Sequence, residues 1–557
     1  MKSSDTKKWY HGIPRACLHL VNEELKRGTL MKTLKKSLKQ KSLVFDQVET
    51  LSGLLERQAL EYPSSPFIYF KNQCLSFRQV NDRTNQVANY LDSYGYGSGD
   101  GVGIMMKNCP EFLFVYYATQ RIGTYVVPIN NALVGEGLEY ILAHSEIKVL
   151  FIDQEFVSLL NLKHLPQLEK IVVRQSDQKL KPPFESFQEV LQFYPDRKNS
   201  WKPKLKDIST IMYTSGTTGR PKGVVFKYSM NWVRRMGAIN HLIYKKDDVL
   251  YTCLPLFHAN ALCLSFSAAL WLGIPIVLSE KFSASKFWKE IKQHRATVFN
   301  SIGAMIPILL KTPPCKDEKS NSVRLTLSAA CPAQSWKEFE KRFDLKIWEA
   351  YSSVDGGQNY IFNMGNAPVG SIGKPHKNNF QIVDDQGNQV KVGATGELLF
   401  KVTRDKKVKY FKNEKATRDK IKNGFLHTGD MVYQDKKGHL YFVGRKTESM
   451  RRRGENVSAY DVENVILKSP MVLECAAYAV PSSLGEDDIM CAVVANPSQQ
   501  FDALEFKNWI SDKLAKFAIP KYIRLMDELP KTSTHRVIKA PLVNQAVTKD
   551  TIDLENL

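Results

Sequence analysis

From Phe45 to about Tyr441 the chain alternates helical and strand patterns, and this alternation narrows the fold more than any other feature. LSFRQVNDRTNQVANYLDSYG puts Val80, Val87 and Leu91 at helical spacing and stops at Gly95. GVGIMM follows as a short apolar strand, and VLFIDQ and IVVRQ read as further buried strands after helical patterns. Strands separated by helices pair in parallel, because each helix carries the chain back across the sheet. The expected fold is α/β: a large N-terminal domain of helix-covered sheets followed by a small C-terminal α/β domain. The texture changes after GHLYFVGRKTE, which sets the boundary at Arg445–Thr447. The expected organisation is a basic extension over 1–44, a large domain over 45–445 and a small domain over 446–557.

Charge adds a second constraint. The formal net charge is +21, and residues 1–41 hold eleven Lys and Arg against Asp5, Glu23 and Glu24. Such a balance suits anionic partners (nucleotides, coenzyme A, anionic lipid or nucleic acid) without choosing among them. Leu30, Met31, Leu34 and Leu38 fall on one side of a helix, with Lys32, Lys35, Lys36 and Lys39 around it. Two readings stand: a helix in peripheral contact with an anionic membrane, or a solvated basic helix docked on its own domain. Nucleic-acid binding calls for aromatic residues interleaved with basic ones on one face, a pattern this extension lacks. The nine scattered cysteines include no C-x-x-C and no metal-ligand spacing, as in a reduced, cytoplasmic protein. Between His258 and Glu280 lie 21 uncharged residues, enough to span a bilayer. The Gly273-Ile274-Pro275 break instead predicts a buried helix, a turn and a buried strand.

YTSGTTGRPKGVV, Tyr213 to Val225, lies between two β-prone runs, STIMY and VVF, so it predicts a hairpin with a glycine-rich tip. It is no Walker loop, since Lys222 is preceded by Pro221 and followed by Gly223. Gly216 and Gly219 let the backbone turn its N–H groups inward as an anion nest. Thr214, Ser215, Thr217 and Thr218 supply hydroxyls and Lys222 a charge. Such a loop suits phosphates that are gripped and then released.

The string resembles the signature loop of the adenylate-forming superfamily, which includes acyl-CoA synthetases, luciferases and peptide-synthetase adenylation domains. Similarity runs from roughly Phe45 to Leu542, with several separated motifs in the family's order. The resemblance implies activation of a carboxylate by ATP to an acyl-adenylate and pyrophosphate, then transfer to coenzyme A. It implies Thr214, Ser215, Gly216, Thr217, Thr218, Gly219 and Lys222 on the phosphates. CLPLFHANAL resembles the segment lining the acyl pocket, with His258 orienting the carboxylate. Phe257-His258-Ala259-Asn260 offers no carboxylate for an α-ammonium, which argues against an amino-acid substrate.

LSAACPAQSW and LKIWEAYSSVD resemble the adenine-binding segment, with Ala330 and Cys331 edging the purine and Tyr351 stacking on it. The family's Y-G-x-T-E reads Tyr351-Ser352-Ser353-Val354-Asp355 here. Val354 lacks the hydroxyl expected at the α-phosphate, and Asp355, with Thr214, is the implied Mg²⁺ ligand, one methylene shorter than glutamate. Asp430 of FLHTGD is implied at the ribose hydroxyls, although an Asp after Gly read alone is a turn residue. Arg445 is implied near ribose and phosphate, Thr447 at the hinge of a mobile small domain, and Gly454 near the coenzyme A tunnel. ELPKTSTHRVIK places Arg536 where the family carries its adenylating lysine. Arginine keeps the charge but presents a planar fork.

The segment EKFSASKFWKEIKQHRATVFNSIGAMIPILLK resembles the crotonobetaine/carnitine–CoA ligase branch. YVVPINNALVGEGLEYIL also resembles the fatty-acid transport and very-long-chain acyl-CoA synthetase branch. The expected activity is an AMP-forming acyl-CoA ligase acting on a fatty or carnitine-type acid, with catalytic Arg536, His258 and Lys222. The departures at Val354, Asp355 and Arg536 keep open a second reading, a degenerate, non-catalytic acyl or nucleotide binder.

Overall fold

A computed structural model describes residues 50–557 apart from 177–179, 199–202, 205, 215–219, 229–236, 238, 304, 404–407, 447–448, 453–454, 483–486, 512 and 533–536. The basic stretch 1–44, and with it the membrane-helix reading, lies outside the described residues. The chain forms two compact units. One comprises the described residues up to Ala367 together with Thr403–Asp419; the other comprises Pro368–Val402 together with Lys420–Leu557.

Two large sheets organise the first unit. The seven-stranded sheet runs in the order Phe184–Ser186, Lys170–Arg174, Ile147–Asp153, Gly101–Met105, Tyr125–Pro128, Ile208–Thr214 and Lys222–Lys227. Every pairing in it is parallel except the last, which is a hairpin. The eight-stranded sheet has a parallel interior and one antiparallel strand at each edge. This is the arrangement that helix–strand alternation predicts.

Local chemistry accounts for the helices between the strands. Phe77–Ser93 begins at a capping box, in which the Ser76 N–H donates to Gln79 Oε1 at 2.8 Å and the Gln79 N–H to Ser76 Oγ at 3.2 Å. Val80, Thr84, Val87, Ala88 and Leu91 then bury one face. Pro110–Ile122 is buried on nearly all sides, as its Phe-Leu-Phe-Val-Tyr-Tyr-Ala run requires.

The 21-residue uncharged stretch forms a π-helical segment, Asn260–Phe266, running into the α-helix Ser267–Leu272. Gly273 stops it in the left-handed conformation at φ 65°, and Ile276–Leu278 follows as a buried central strand. No helix among the described residues is long and apolar enough to cross a membrane.

The second unit is mainly antiparallel. Ser371–Gly373, Leu440–Arg445, Phe425–Gln434, Gly396–Lys401 and Phe380–Val383 form one sheet, with Ile421–Lys422 paired beside it. Val472–Pro481, Asp487–Ala495, Tyr522–Leu525 and Thr551–Asp553 form another. Ser458 Oγ donates to the Val443 carbonyl at 2.8 Å, so chain on either side of Arg445–Thr447 belongs to this one unit. The eight described cysteines are all free thiols.

Candidate active site

In the eight-stranded sheet, Leu250–Thr252, Val298–Ile302, Leu325–Ala329 and Lys346–Ser352 are adjacent and parallel. The chain leaving their C-terminal ends carries His258, Gly303, Ala330–Cys331 and, past Tyr351, Asp355. Parallel α/β sheets bind ligands at these ends, where loops gather and backbone groups are released from the ladder. Residues scattered over about a hundred positions are therefore brought to one edge by topology.

Cys331 and Ala330 are held by a residue that the motifs do not mark. Glu349, in the middle of Lys346–Ser352, accepts the Cys331 N–H at 3.2 Å and also accepts the Ala330 N–H. It is buried, and burial pushes its carboxyl up to about 8, against the pull of the two N–H donors. Ala330 stands at φ 65°, a conformation costing a non-glycine residue about 1–3 kcal/mol. Gly303 completes the turn, since a Cβ there would lie 2.1 Å from the Ala330 carbonyl oxygen. Tyr351, half-buried, follows Glu349 by two residues and so shares its side of the strand.

His258 N–H donates to the Pro255 carbonyl at 3.0 Å, in a tight turn before the π-helical segment. Its ring lies 4.5 Å from that of Phe257, and its buried Nε2 has no hydrogen-bond partner among the described residues. Burial lowers its pKa to about 4, so the imidazole is neutral at pH 7. A neutral ring can orient a carboxylate by one hydrogen bond without supplying a charge.

The predicted hairpin is present: Ile208–Thr214 pairs antiparallel with Lys222–Lys227, with Thr214 opposite Lys222. Ser215, Gly216, Thr217, Thr218 and Gly219 lie outside the described residues. Tyr213 anchors one strand through a 2.7 Å hydrogen bond between its hydroxyl and His144 Nδ1. Lys222 is exposed, with Nζ 5.6 Å from the centroid of the Tyr410 ring. The Tyr410 hydroxyl in turn donates to Asp355 Oδ2 at 2.7 Å. Val354 is half-buried and packs against the unit's apolar core.

In the second unit Asp430 lies within the strand Phe425–Gln434, not in the turn that its Gly-Asp context suggests in isolation. It pairs in register with Arg445, and Arg445 Nε lies 2.7 Å from Asp430 Oδ1. The Asp430 N–H donates to Thr428 Oγ1 at 3.0 Å, and Glu397 accepts the Gly429 N–H at 3.1 Å. Thr447, Gly454 and Arg536 lie outside the described residues. Ser449–Arg452 pairs antiparallel with Glu455–Ser458. Arg536 precedes Val537, which bridges to Lys531, while the Ile538 N–H donates to Pro530 O at 2.7 Å.

Glu349 and Tyr410 are the residues that sequence reasoning missed. Glu349 had a signal, a lone acid in a strand that otherwise reads as buried. Tyr410, between Lys409 and Phe411, had none.

The family description AMP-binding enzyme matches residues 55–403, and AMP-binding enzyme C-terminal domain matches 461–536. The chain belongs to the AMP-binding enzyme family. This AMP-binding enzyme is 30% identical over 485 residues to a crotonobetaine/carnitine–CoA ligase of Escherichia fergusonii, covering 84% of this chain and 92% of the relative. Its fold is similar to that of an anthranilate CoA ligase solved with anthranoyl-AMP, at TM-score 0.81 and 25% identity, over 89% of this chain and 97% of that one. It is also similar in fold to an o-succinylbenzoate CoA synthetase from Bacillus subtilis solved with its acyl-adenylate. There the TM-score is 0.76 and the identity 22%, over 90% of this chain and 99% of that one. The resemblance to adenylate-forming acyl-CoA synthetases is thus borne out, and the enzyme class is AMP-forming acid–CoA ligase.

Proposed function

We propose that this AMP-binding enzyme activates a fatty or carnitine-type carboxylic acid with ATP and passes the acyl group to coenzyme A. The relation to the crotonobetaine/carnitine–CoA ligase carries this reading and favours the carnitine-type acid within it. The uncharged Phe257-His258-Ala259-Asn260 segment supports an acid without an α-ammonium.

Each residue has a chemical task in this reading. Ala330, Cys331 and Tyr351 take the adenine, and Asp430 with Arg445 takes the ribose. Lys222 and the loop from Thr214 to Gly219 take the β- and γ-phosphates. Neutral His258 and cationic Arg536 place the acid's carboxylate for attack on the α-phosphorus, with pyrophosphate leaving. Positioning and charge stabilisation do the work, without a covalent enzyme intermediate. The small domain, 446–557, then turns about Thr447 and brings the Gly454 element to the coenzyme A thiol.

Among the described residues no three His, Cys, Asp or Glu side chains gather into a metal-binding group. That fits Mg²⁺, which is held by one or two carboxylates and by substrate phosphates. Asp355 and the Thr214 hydroxyl are hard oxygen donors of the kind required. When bound, the ion would neutralise phosphate charge.

The test is acid-dependent exchange of labelled pyrophosphate into ATP. The panel holds straight-chain acids of increasing length and acids bearing a trimethylammonium group. Exchange with the trimethylammonium acids is expected to exceed that with alkyl acids of equal length. Exchange supported only by alkyl acids would overturn the carnitine-type preference. Separately, deleting residues 1–41 should reduce binding to anionic vesicles if the basic extension contacts membrane; unchanged binding would remove that reading.

A further inference from the structure

Within Thr403–Asp419, which belongs to the first unit, Lys409–Phe411 lie along the Lys222 hairpin. The Val225 N–H donates to Lys409 O at 2.9 Å, the Phe411 N–H donates to Gly223 O at 2.7 Å, and Val224 bridges to Tyr410. The Tyr410 N–H donates to Thr417 Oγ1 at 3.0 Å, which fixes its backbone from the other side. Tyr410 is 3% exposed. Its hydroxyl reaches Asp355 Oδ2 at 2.7 Å, and its ring lies under Lys222 Nζ.

One side chain thus touches the residues on which two separate motifs converge. A carboxylate oxygen can only accept here, so the Tyr410 phenol is the donor in this contact. A donor on Oδ2 restricts rotation of the carboxylate. This constraint matters more for aspartate than for glutamate, because the shorter side chain has less reach to correct a wrong angle.

We propose that Tyr410 is a positioning residue that orients Asp355 for divalent-cation binding and ties it to the Lys222 hairpin. The inference rests on the reading of Asp355 as a Mg²⁺ ligand given under Proposed function. Tyr410→Phe removes the hydroxyl while keeping the ring against Lys222. The measurement is equilibrium ATP affinity by calorimetry, in excess Mg²⁺ and in EDTA, on the full chain. The ratio of the two affinities isolates the metal-dependent part.

Tyr410→Phe is expected to lower that ratio about five- to tenfold, the loss typical of one hydrogen bond, with affinity in EDTA unchanged. In an Asp355→Asn background the same substitution should have no further effect on the ratio. An unchanged ratio in Tyr410→Phe, with a lowered one in Asp355→Asn, overturns the inference and leaves the metal reading standing. An equal loss in Mg²⁺ and in EDTA also overturns it, since the role is then general packing. A wild-type ratio of one overturns the metal reading and this inference with it.

Discussion

Arg445 and Asp430 face each other across adjacent antiparallel strands, with the guanidinium Nε 2.7 Å from the carboxylate Oδ1. Asp430 is 1% exposed and Arg445 considerably more so, making this a half-buried ion pair. Arg445→Ala is expected to cost about 1–3 kcal/mol, between the values for exposed and buried pairs. ATP affinity should fall with it, because the carboxylate loses the group that orients it. Chemical denaturation and equilibrium ATP binding check the two effects. Full ATP affinity in Arg445→Ala would remove the arginine from the nucleotide site.

Glu349 should make the Ala330–Cys331 turn sensitive to pH. Its ordinary value is 4.5 and its folded value about 8, so between these the folded chain holds a proton that the unfolded chain has released. The stability it contributes is complete below 4.5, declines as pH rises and is gone above about 8. Glu349→Gln should flatten this slope. It should also cost about 1–3 kcal/mol, because an amide offers one acceptor to two N–H donors. Denaturation curves at pH 5, 7 and 9 (set at about these values to bracket the transition) test both points. An unaltered slope in the variant would contradict the assignment.

His258 has the opposite sign. Its folded value, about 4, lies below the ordinary 6.5, so the folded state binds fewer protons over that range. Its contribution is complete above 6.5 and is lost as pH falls toward 4. His258→Phe should soften acid unfolding in this window. It should also raise the concentration of acid needed for half-maximal pyrophosphate release, since the orienting nitrogen is gone. Unchanged acid dependence would exclude His258 from carboxylate placement.

Arg536 and Val354 test whether the departures from the family's pattern mark decay. Arg536→Lys is expected to keep the adenylation rate level or lower it, since removing an electrostatic clamp costs about 10²–10³ and lysine supplies only a point charge. A large rate gain would show a decayed site. Val354→Thr restores a hydroxyl and should tighten ATP binding at some cost in stability, because Val354 packs against the apolar core. Single-turnover adenylation and melting curves read out these effects.

The parallel sheets, the hairpin around Lys222 and the buried fate of the 21-residue stretch were legible because periodicity and breakers act locally. The site motifs were legible as separate strings. Their assembly was not, because it depends on strand order. Ala330 and Glu349 are 19 residues apart in sequence and meet through the pairing of Leu325–Ala329 with Lys346–Ser352. Tyr410 and Asp355 are 55 apart and meet because Thr403–Asp419 returns to the first unit. Asp430 misled as an isolated residue for a related reason: the Gly429-Asp430 step looks like a turn until its partner strand, ending at Arg445, is in place.

The most direct test of the central claim is product analysis of the purified full chain with ATP, Mg²⁺, coenzyme A and a carnitine-type or fatty acid. AMP, pyrophosphate and acyl-CoA should appear in equal amounts, and without coenzyme A an acyl-adenylate should be found on the protein. ATP binding with neither acyl-adenylate nor thioester across the acid panel would contradict the account and favour a non-catalytic binder.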